Sequence, residues 1–426
     1  MRPINVGIIG LGTVGASVAK MILTHGEDYK RYYGLDIRLI AAAALDDTAV
    51  KELGIEDVFT FDGNDVIDNP DVDVVIELIG GTGIAKKFVL KALNAGKHVV
   101  TANKAIMASC GEEILKTAQA NGVSIMYGAS VGGGIPIIGP LKRSLDCNEI
   151  SDVMGIVNGT TNYMLTRMSD DGMDYEAALK EAQEKGFAEF NPAGDVEGLD
   201  AANKIAILAS IAFHSRVTIE DVYVEGITKI EPIDLDVARD MGYCIKLLAI
   251  ARRTENGIDV RVHPTMLPLS HPLAGVNGVF NAIYVVGDFV GETMFFGQGA
   301  GGGAAASAVM GDLLEIARML NEGFHETRWC ECIDEIPILP IDELESEYYL
   351  RIQVEDRPGV FAKIAEIFAK DDISFRSVNQ RETIGDLASI TVLTHITKES
   401  AIRSALEEIV ATGMLAADPM LIRISR

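Results

Sequence analysis

The chain has 426 residues, of which 48% are hydrophobic and 23% charged; this ordinary globular composition excludes collagen-like, disordered and coiled-coil proteins. Its formal net charge of −25 would repel phosphate backbones and anionic membrane surfaces, so nucleic acid and membranes are poor partner candidates. No apolar stretch reaches the roughly 18 residues that a membrane span needs. At about 150 residues per domain, this length predicts two or three domains.

The cysteines favour a reducing compartment. Their number is five, which is odd, and none forms a CxxC element. Cys330 and Cys332 are separated by one residue, which suits neither a disulfide nor the usual zinc knuckle. Three glycines interrupt the apolar run near the start, as in a strand and turn and unlike a signal peptide. We therefore expect a cytoplasmic protein without a disulfide framework.

Residues 1–138 alternate buried apolar strands with amphipathic helices. The predicted strands are 5–9, 37–45, 72–78, 97–101 and 124–127. Intervening segments such as 14–23 and 85–95 repeat their apolar residues with a period of 3.6. This alternation predicts an α/β fold, a Rossmann-type doubly wound parallel sheet.

The remainder of the chain divides into a second domain, a linker and a third domain. Residues 139–303 predict an α+β substrate-binding and dimerisation domain with a buried helix at 199–212. An apolar helix at 304–320 is expected to return to the first domain. Residues 328–346 contain an acidic, Pro-containing linker. Residues 347–426 then follow the order βαββαβ, which predicts a ferredoxin-like domain.

A glycine motif follows the first predicted strand and opens a helix. It reads Gly10-Leu11-Gly12-Thr13-Val14-Gly15. The first Gly permits a tight turn, the second lets a pyrophosphate approach the backbone, and the third lets the helix pack on the strand. The helix N-terminus offers N–H donors to phosphate. The context favours NAD or NADP binding over a simple tight turn.

The choice between NAD and NADP depends on the end of the second strand. Asp46 follows that strand and could accept a hydrogen bond from a ribose hydroxyl, and no Arg is placed to receive a 2′-phosphate. Asp46 lies further from the glycines than the usual spacing of about 20 residues, so a long first helix or loop must separate them. The sequence tilts toward NAD, with a plain loop carboxylate as the alternative.

Two lysines are candidate catalytic groups. Lys104 follows the predicted strand 97–101, at the edge where open α/β sheets bind ligands; the alternative is a solvated Lys that starts a helix. Asp200 and Lys204 are four residues apart on a predicted buried helix and so share a face. They form either a helix salt bridge or an ammonium for proton transfer beside carboxylates that hold a substrate amine.

Several segments together resemble homoserine dehydrogenases, over about the first 320 residues and in the order of that family. They are the motif at 10–15, Thr101-Ala102-Asn103-Lys104-Ala105, Asn158-Gly159-Thr160-Thr161-Asn162, the block at 189–204 and the glycines at 297–303. The C-terminal segment that contains Asp356-Arg357-Pro358-Gly359-Val360 resembles an ACT domain, an amino-acid-sensing module. The resemblance implies reversible NAD(P)-dependent oxidation of L-homoserine to L-aspartate 4-semialdehyde, toward threonine, methionine and isoleucine.

The resemblance also implies roles for individual residues. Lys204 would be the proton donor and Lys104 a second lysine at the reacting group. The substrate would be held by Gly159, Thr160, Glu189, Asp195 and Asp200. The cofactor would be lined by Gly10, Gly12, Thr13, Val14, Gly15, Asp46, Gly80, Lys104, Gly186 and Gly303. A Glu/Asp/Lys cluster suits an ammonium-bearing substrate that develops an alkoxide.

Family resemblance further suggests two ligand sites outside the catalytic cluster. Backbone carbonyls of Val131, Gly133 and Ile135 would bind a structural Na⁺, although Gly128 stands where some family members offer Glu. An effector amino acid, with threonine as the expected case, would bind through Asp356, Arg357, Gly359 and Asn379. The second domain and the ACT domain both suggest a homo-oligomer, either a dimer or a tetramer.

Two alternatives remain open from the sequence. One is another ACT-containing Rossmann dehydrogenase, whose acidic substrate would demand an Arg-rich pocket instead of this carboxylate-rich block. The other is a sensor of dinucleotide and amino acid that catalyses no reaction, against which the Lys204 arrangement argues.

Overall fold

The computed structural model describes residues 2–323, 332–381 and 387–425. The chain forms two compact units, each assembled from separate stretches of sequence. The first comprises Met1–Val153, Asn203–Val222 and Phe280–Ile336, and the second comprises Met154–Ala202, Tyr223–Val279 and Pro337–Arg426.

The first unit is built on a parallel sheet. Its strands are β1 (Ile4–Ile9), β2 (Ile37–Ala43), β3 (Phe59–Thr60), β4 (Val74–Glu77), β5 (His98–Thr101) and β6 (Ile125–Met126), in the order β3-β2-β1-β4-β5-β6. Its helices are α1 (Thr13–Tyr33), α2 (Thr48–Leu53), α3 (Gly63–Asp68), α4 (Ile84–Asn94), α5 (Lys104–Ala120) and α6 (Ile138–Arg143). The strands β4 and β5 are buried along their whole length, as expected of a sheet covered on both faces.

The first helix is longer than its sequence pattern predicts. The apolar period indicates a helix over 14–23, whereas α1 continues to Tyr33. Gly34 ends it with a left-handed φ of 70° that a side chain would disfavour. This long helix accounts for the wide spacing between the glycine motif and Asp46.

The middle of the chain supplies elements to both units. Its strands are β7 (Ile150–Ile156), β8 (Tyr223–Val224), β9 (Tyr243–Thr254), β10 (Gly257–Pro268), β11 (Phe280–Gly287) and β12 (Gly291–Gln298). Its helices are α7 (Gly159–Asp171), α8 (Tyr175–Glu184), α9 (Ala193–Val196), α10 (Leu199–Ala212), α11 (Pro232–Asp240) and α12 (Gly302–Glu322). Within the first unit, β11 and β12 form an antiparallel hairpin, and α12 joins the apolar core of α1 and β1.

The second unit contains a C-terminal ferredoxin-like fold. Its elements are β13 (Glu345–Glu355), α13 (Val360–Lys370), β14 (Phe375–Arg381), β15 (Leu387–Thr394), β16 (Thr397–Lys398), α14 (Glu399–Ala411) and β17 (Met420–Ile424). The strand order is β17-β13-β15-β14, and both helices contribute to one apolar core. Strand β17 also pairs in parallel with β10, so this sheet continues into the β9–β10 hairpin of the same unit.

The predicted fold class is confirmed: a Rossmann-type sheet, an α+β region and a ferredoxin-like C-terminal fold are all present. The predicted linker at 328–346 lies partly outside the described residues, and its described part bridges Ser215 through Asp334 and Ile258 through Ile338. None of the helices in the described ranges is long and apolar enough to cross a membrane.

Candidate active site

The glycine motif forms a turn whose three glycines have distinct steric roles. Gly10 has a φ of 103°, and a Cβ there would lie 2.8 Å from the backbone of Leu78. A Cβ on Gly15 would collide with the carbonyl oxygen of Gly10, so the helix can approach the strand only at a glycine. A Cβ on Gly12 would meet nothing within 4 Å. The turn is closed at its base and open above Gly12, which fits a dinucleotide pyrophosphate at the start of α1.

A buried carboxylate organises the neighbouring loop after β4. Glu77 is 1% exposed and accepts hydrogen bonds from the Ile79 N–H at 2.8 Å and the Gly80 N–H at 3.2 Å. The Thr101 hydroxyl donates to its other oxygen at 2.7 Å. Gly80 and the next residue both have a φ of 72°. The sequence prediction named Gly80 but missed Glu77, because a Glu at a strand end carries no motif.

The residues after β5 continue this edge of the sheet. Asn103 is the N-cap of α5 and accepts from the Ile106 N–H, while its amide donates to the Gly81 carbonyl at 2.8 Å. Lys104 is the first residue of α5 and is half-buried. Asp46 is exposed, and the hydrogen bond from the Thr48 backbone holds the pKa of the Asp46 carboxyl below its usual range. Asp46 therefore presents an ionised acceptor near the end of β2.

The glycine-rich segment before α12 lies against the start of α1. A Cβ on Gly302 would be 2.7 Å from the Thr13 methyl group, so the two helix N-termini approach each other closely. Gly303 is the second residue of α12, and a Cβ there would meet nothing within 4 Å. Within the first unit, Thr13 therefore lies close to the Gly302–Gly303 segment.

In the second unit, Asn158 joins two of the predicted substrate carboxylates. Its amide nitrogen donates to Asp195 at 2.7 Å and to Asp200 at 2.9 Å. Its amide oxygen accepts from the Thr161 N–H at 2.9 Å as the N-cap of α7. Asn158 is 6% exposed, so packing fixes the orientation of this amide. The motif quoted for the family resemblance contained Asn158, but its bridging role was not predicted.

Lys204 lies one helical turn after Asp200 on α10. The boundary between the two units falls within this continuous helix, after Ala202. Lys204 is 8% exposed, and the turns that follow it are buried and apolar. Residues four apart share a helix face, so Asp200 and Lys204 point to the same side of α10.

The other predicted substrate residues differ in exposure: Thr160 is buried, whereas Glu189 is exposed. Thr160 donates its hydroxyl to the Phe187 carbonyl at 2.5 Å, and Gly159 begins α7. Gly186 has a φ of 74°, and Glu189 is exposed on the segment that follows. The Gln183 amide donates to the Glu189 carbonyl at 3.1 Å, which holds this segment against α8. No contact in the described parts of the chain joins the Glu189 side chain to Asp195 or Asp200.

The loop at 128–135, where the Na⁺ site is predicted, is in contact with a carboxylate from α12. Gly132 and Gly133 have φ values of 77° and 54°, which reverse the chain between Val131 and Ile135. The Gly128 N–H donates to Asp312 at 2.7 Å, and a Cβ on Gly128 would lie 2.8 Å from that carboxylate. Asp312 therefore occupies the space that a side chain at 128 would need. Burial raises the pKa of Asp312 to about 7.

The predicted effector residues are exposed. Asp356, Arg357 and Gly359 lie on the loop between β13 and α13, and Arg357 forms an ion pair with Glu355. Asn379 lies on β14, where its carbonyl accepts from the Thr391 hydroxyl at 3.2 Å.

The cysteine pair considered as a metal site lies only partly within the described residues, since Cys330 is outside them. Among the described residues, no group of three His, Cys, Asp or Glu side chains could hold a metal ion.

Together these features define a class. A parallel sheet with an open glycine turn and a lysine at the sheet edge, in the first unit, are parts of a nicotinamide-dependent dehydrogenase. The carboxylate–amide cluster of the second unit suits a small amino-bearing substrate.

Comparison with known proteins agrees. Family models match at residues 10–128 (homoserine dehydrogenase, NAD binding domain), 136–314 (homoserine dehydrogenase) and 348–413 (ACT domain). A homoserine dehydrogenase of Neisseria gonorrhoeae is 41% identical over 430 residues, which cover 100% of this chain and 99% of that protein. The chain belongs to the homoserine dehydrogenase family and is an oxidoreductase with a C-terminal ACT domain.

Solved structures extend the comparison. The crystal structure of a homoserine dehydrogenase from Thiobacillus denitrificans has a TM-score of 0.94 and 41% identity, and the match covers 100% of this chain and 99% of that one. A hyperthermophilic archaeal homoserine dehydrogenase in complex with NADPH has a TM-score of 0.64 and 27% identity. That match covers 74% of this chain and 98% of the archaeal chain.

Proposed function

We propose that this enzyme interconverts L-homoserine and L-aspartate 4-semialdehyde with NAD or NADP, in the pathway toward threonine, methionine and isoleucine. The observation that carries the proposal is the cluster formed by the N-cap of α7 with α9 and α10. There, Asn158 holds Asp195 and Asp200 together, and the buried Lys204 follows Asp200 by one helical turn.

The carboxylates bind the substrate amine in this proposal. An ammonium group needs anionic acceptors; Asp195 lies on the four-residue helix α9, and Asp200 lies in the first turn of α10. The Asn158 amide donates to both, which keeps one oxygen of each carboxylate occupied and orients the other. Glu189, on its open segment, adds a third carboxylate as substrate enters. Gly159 and Thr160 shape the adjoining backbone.

Lys204 moves the proton. During reduction of the aldehyde, its ammonium donates a proton to the developing alkoxide oxygen, and during oxidation its neutral amine accepts that proton. Lys104, at the start of α5, stabilises the same oxygen as a second cation. When bound, the dinucleotide supplies the hydride carrier for the C4 carbon of the substrate. Such general acid catalysis is typically worth 10² to 10⁴ in rate.

The residues proposed to bind the dinucleotide lie in the first unit, except for Gly186. Gly10, Gly12, Thr13, Val14 and Gly15 supply the turn, while Gly80 and Gly303 line the adjoining walls. We further propose that NAD is used at least as well as NADP, because Asp46 presents an anionic acceptor where a 2′-phosphate would be repelled. The archaeal relative was solved in complex with NADPH, so NADP is the competing cofactor that the assay must include. A large kcat/KM preference for NADP would refute the proposed use of NAD.

The test is the appearance of reduced nicotinamide from L-homoserine, with malate, 3-phosphoglycerate and prephenate as substrate controls. Lys204→Met keeps the apolar stem and removes the ammonium, so kcat should fall at least 100-fold while cofactor affinity stays within about twofold. Lys180→Met is the matched control, since that side chain is 79% exposed on α8. Retention of more than about a tenth of kcat by Lys204→Met would refute the proton-donor role.

Feedback by threonine is the regulatory part of the proposal. The ACT domain supplies Asp356, Arg357, Gly359 and Asn379 on exposed surface, where a small amino acid could reach them. Threonine should therefore change the velocity or the substrate saturation curve of the full chain. Unchanged Michaelis kinetics with threonine far above cellular concentrations would count against this effector.

The proposal also includes a homo-oligomeric state, a bound cation and a cytoplasmic location. A homo-oligomer is supported by β12, which exposes Met294 and Phe296 on one face. The glycine loop at 128–135, with Asp312 beside it, suits a hard cation such as Na⁺ on the carbonyls of Val131, Gly133 and Ile135. A cytoplasmic location is supported by Cys110, Cys147 and Cys244, which are free thiols.

A further inference from the structure

The segment at 186–190 follows α8 and carries Glu189, which the proposed function places at the substrate amine. Four of its five residues are exposed. The Phe187 N–H donates to the Ala182 carbonyl at 2.8 Å. The Gln183 amide donates to the Glu189 carbonyl at 3.1 Å. These bonds fold the segment back onto the end of α8, but hydrogen bonds at an exposed surface stabilise a segment only modestly, because water competes for the same groups.

One face of α7 supplies the other contacts of this segment. The Phe187 ring meets the ring of Tyr163 edge to face, with the centroids 5.0 Å apart and the planes at 63°. Thr160 lies three residues earlier on α7, and its hydroxyl donates to the Phe187 carbonyl at 2.5 Å. Residues three apart share a helix face, so α7 holds both the ring and the backbone of Phe187. Tyr163 is 7% exposed, so packing fixes the ring against which Phe187 lies.

The hydroxyl of Tyr163 is held in turn by the end of α8. The Lys185 ammonium donates to it at 2.8 Å and lies 5.4 Å from the centre of the Tyr163 ring. Glu181, one turn before Lys185, pairs with it at 2.6 Å and accepts from Arg167 Nε at 3.0 Å. Lys185, followed by Arg167, lowers the pKa of the Glu181 carboxyl to about 2. Because Arg167 lies four residues after Tyr163, this ionised network ties the Tyr163 face of α7 to α8.

The same helix begins at the substrate carboxylates. Asn158, the N-cap of α7, binds Asp195 and Asp200. Tyr163 lies five residues further along the chain, about 7.5 Å along the helix axis. One helix therefore relates the two anchored carboxylates to the segment that carries the third. Without the Tyr163 contact, Glu189 would have to be ordered when the substrate binds, and that ordering costs affinity.

We propose that Tyr163 is a positioning residue for the substrate: it fixes Phe187 against α7 and thereby keeps Glu189, two residues further on, in place for the substrate amine. Lys185 acts through Tyr163 by holding its hydroxyl. The inference rests on the proposed function, since it assigns the Glu189 carboxylate to an ammonium-bearing substrate. Ordering a binding group in advance lowers the cost of association and leaves the chemical step unchanged, so the effect belongs in the homoserine KM and not in kcat.

The first test is steady-state kinetics with L-homoserine at saturating dinucleotide. Tyr163→Leu removes the ring and should raise the homoserine KM about tenfold while kcat stays within about twofold. Tyr163→Phe keeps the ring against Phe187, so its KM should rise no more than about threefold. Lys185→Met removes the bond to the Tyr163 hydroxyl from a side chain that is 48% exposed, and should match Tyr163→Phe. Lys180→Met, on the same helix, is its control and should leave KM unchanged.

A double substitution shows whether the effect passes through Glu189. In a Glu189→Gln background, Tyr163→Leu should change the homoserine KM less than about twofold, because the carboxylate that it positions is already gone. Effects of the two substitutions that multiply would overturn the proposal, since Tyr163 would then act independently of Glu189. If Tyr163→Leu does not fold, Lys185→Met in the same background gives the same comparison.

Hydrogen exchange provides a readout that needs no turnover. The amides of Phe187 and Ala188 both donate to the Ala182 carbonyl, and Tyr163→Leu or Lys185→Met should accelerate their exchange about fivefold or more. Unchanged exchange in both variants would overturn the proposal, whatever the kinetics. Absence of homoserine turnover in the unmodified protein would instead refute the proposed function and, with it, the assignment of Glu189 to a substrate amine. The unmodified protein therefore distinguishes the two failures.

Discussion

Replacing Arg423 with Met should strongly destabilise the attachment of the last strand. Arg423 is 2% exposed, and Glu399, its buried partner, is 0% exposed. Their contacts are an Nε–Oε2 hydrogen bond at 2.9 Å and a second bond through Nη2, with Glu225 bound at 2.7 Å and 3.1 Å. The substitution leaves the Glu399 carboxylate buried without its principal cation.

The expected magnitude follows from that uncompensated charge. Removing one partner of a buried ion pair costs about 3–5 kcal/mol. Glu399 retains one other cation, because Arg403 Nε donates to it at 2.9 Å, and this keeps the cost near the lower limit. About 3 kcal/mol corresponds to a factor of roughly 150 in the opening equilibrium.

Native-state hydrogen exchange of the β17 amides measures this opening directly, without requiring the two units to unfold together. Arg403→Met is the comparison, since that side chain is 36% exposed and should cost about 1 kcal/mol or less. Adding Glu399→Gln to Arg423→Met should restore part of the loss. An acceleration of exchange below fivefold in Arg423→Met, or one no greater than that in Arg403→Met, would contradict this prediction.

Three further predictions concern the first unit. Glu77→Gln weakens the acceptor of the Ile79–Gly80 loop and should raise the dinucleotide KM about tenfold with little change in kcat, as steady-state kinetics would show. Asp312→Asn should flatten the fall in thermal stability between pH 4 and 7: the folded pKa of about 7 exceeds the ordinary 3.8, so stability is lost as pH rises. The gain at pH 8 should be about 2 kcal/mol, below the full 4 kcal/mol because the carboxyl is not fully buried. Phe296→Glu, on the exposed face of β12, should convert an oligomer to monomers in light scattering.

Each of these has its own control. A rise in homoserine KM equal to that for the dinucleotide would contradict the Glu77 prediction. Glu315→Gln changes a carboxylate on the same helix as Asp312, paired with Arg143, and should leave the acidic slope intact. Leu269→Glu places a charge at another exposed apolar position, 56% exposed, and should not alter the oligomeric state. An unchanged mass for Phe296→Glu would exclude the β12 face as the interface.

The sequence predicted the order and type of most elements because their signals are local. The helix at 199–212 was predicted with its observed bounds, since an apolar run follows the Gly198 turn. Five of the six strands of the first sheet were predicted within about two residues, because buried strands contain continuous apolar residues, whereas the two-residue strand β3 was not predicted. The length of α1 was not predicted, since its last turns are polar and only Gly34 marks their end. Helices with few apolar residues, such as α8, were also not identified.

For the candidate site, the sequence determined which chemical groups are available, because motif and spacing place Gly10–Gly15, Lys104 and the Asp200–Lys204 pair. Tertiary structure alone decided which distant groups meet. Asn158 reaches Asp195 and Asp200 across 37 and 42 residues. Asp312 reaches Gly128 across 184 residues, and Arg423 reaches Glu225 across 198. Periodicity reports a residue's own element and face, whereas these contacts depend on how separate elements pack, which no local pattern encodes.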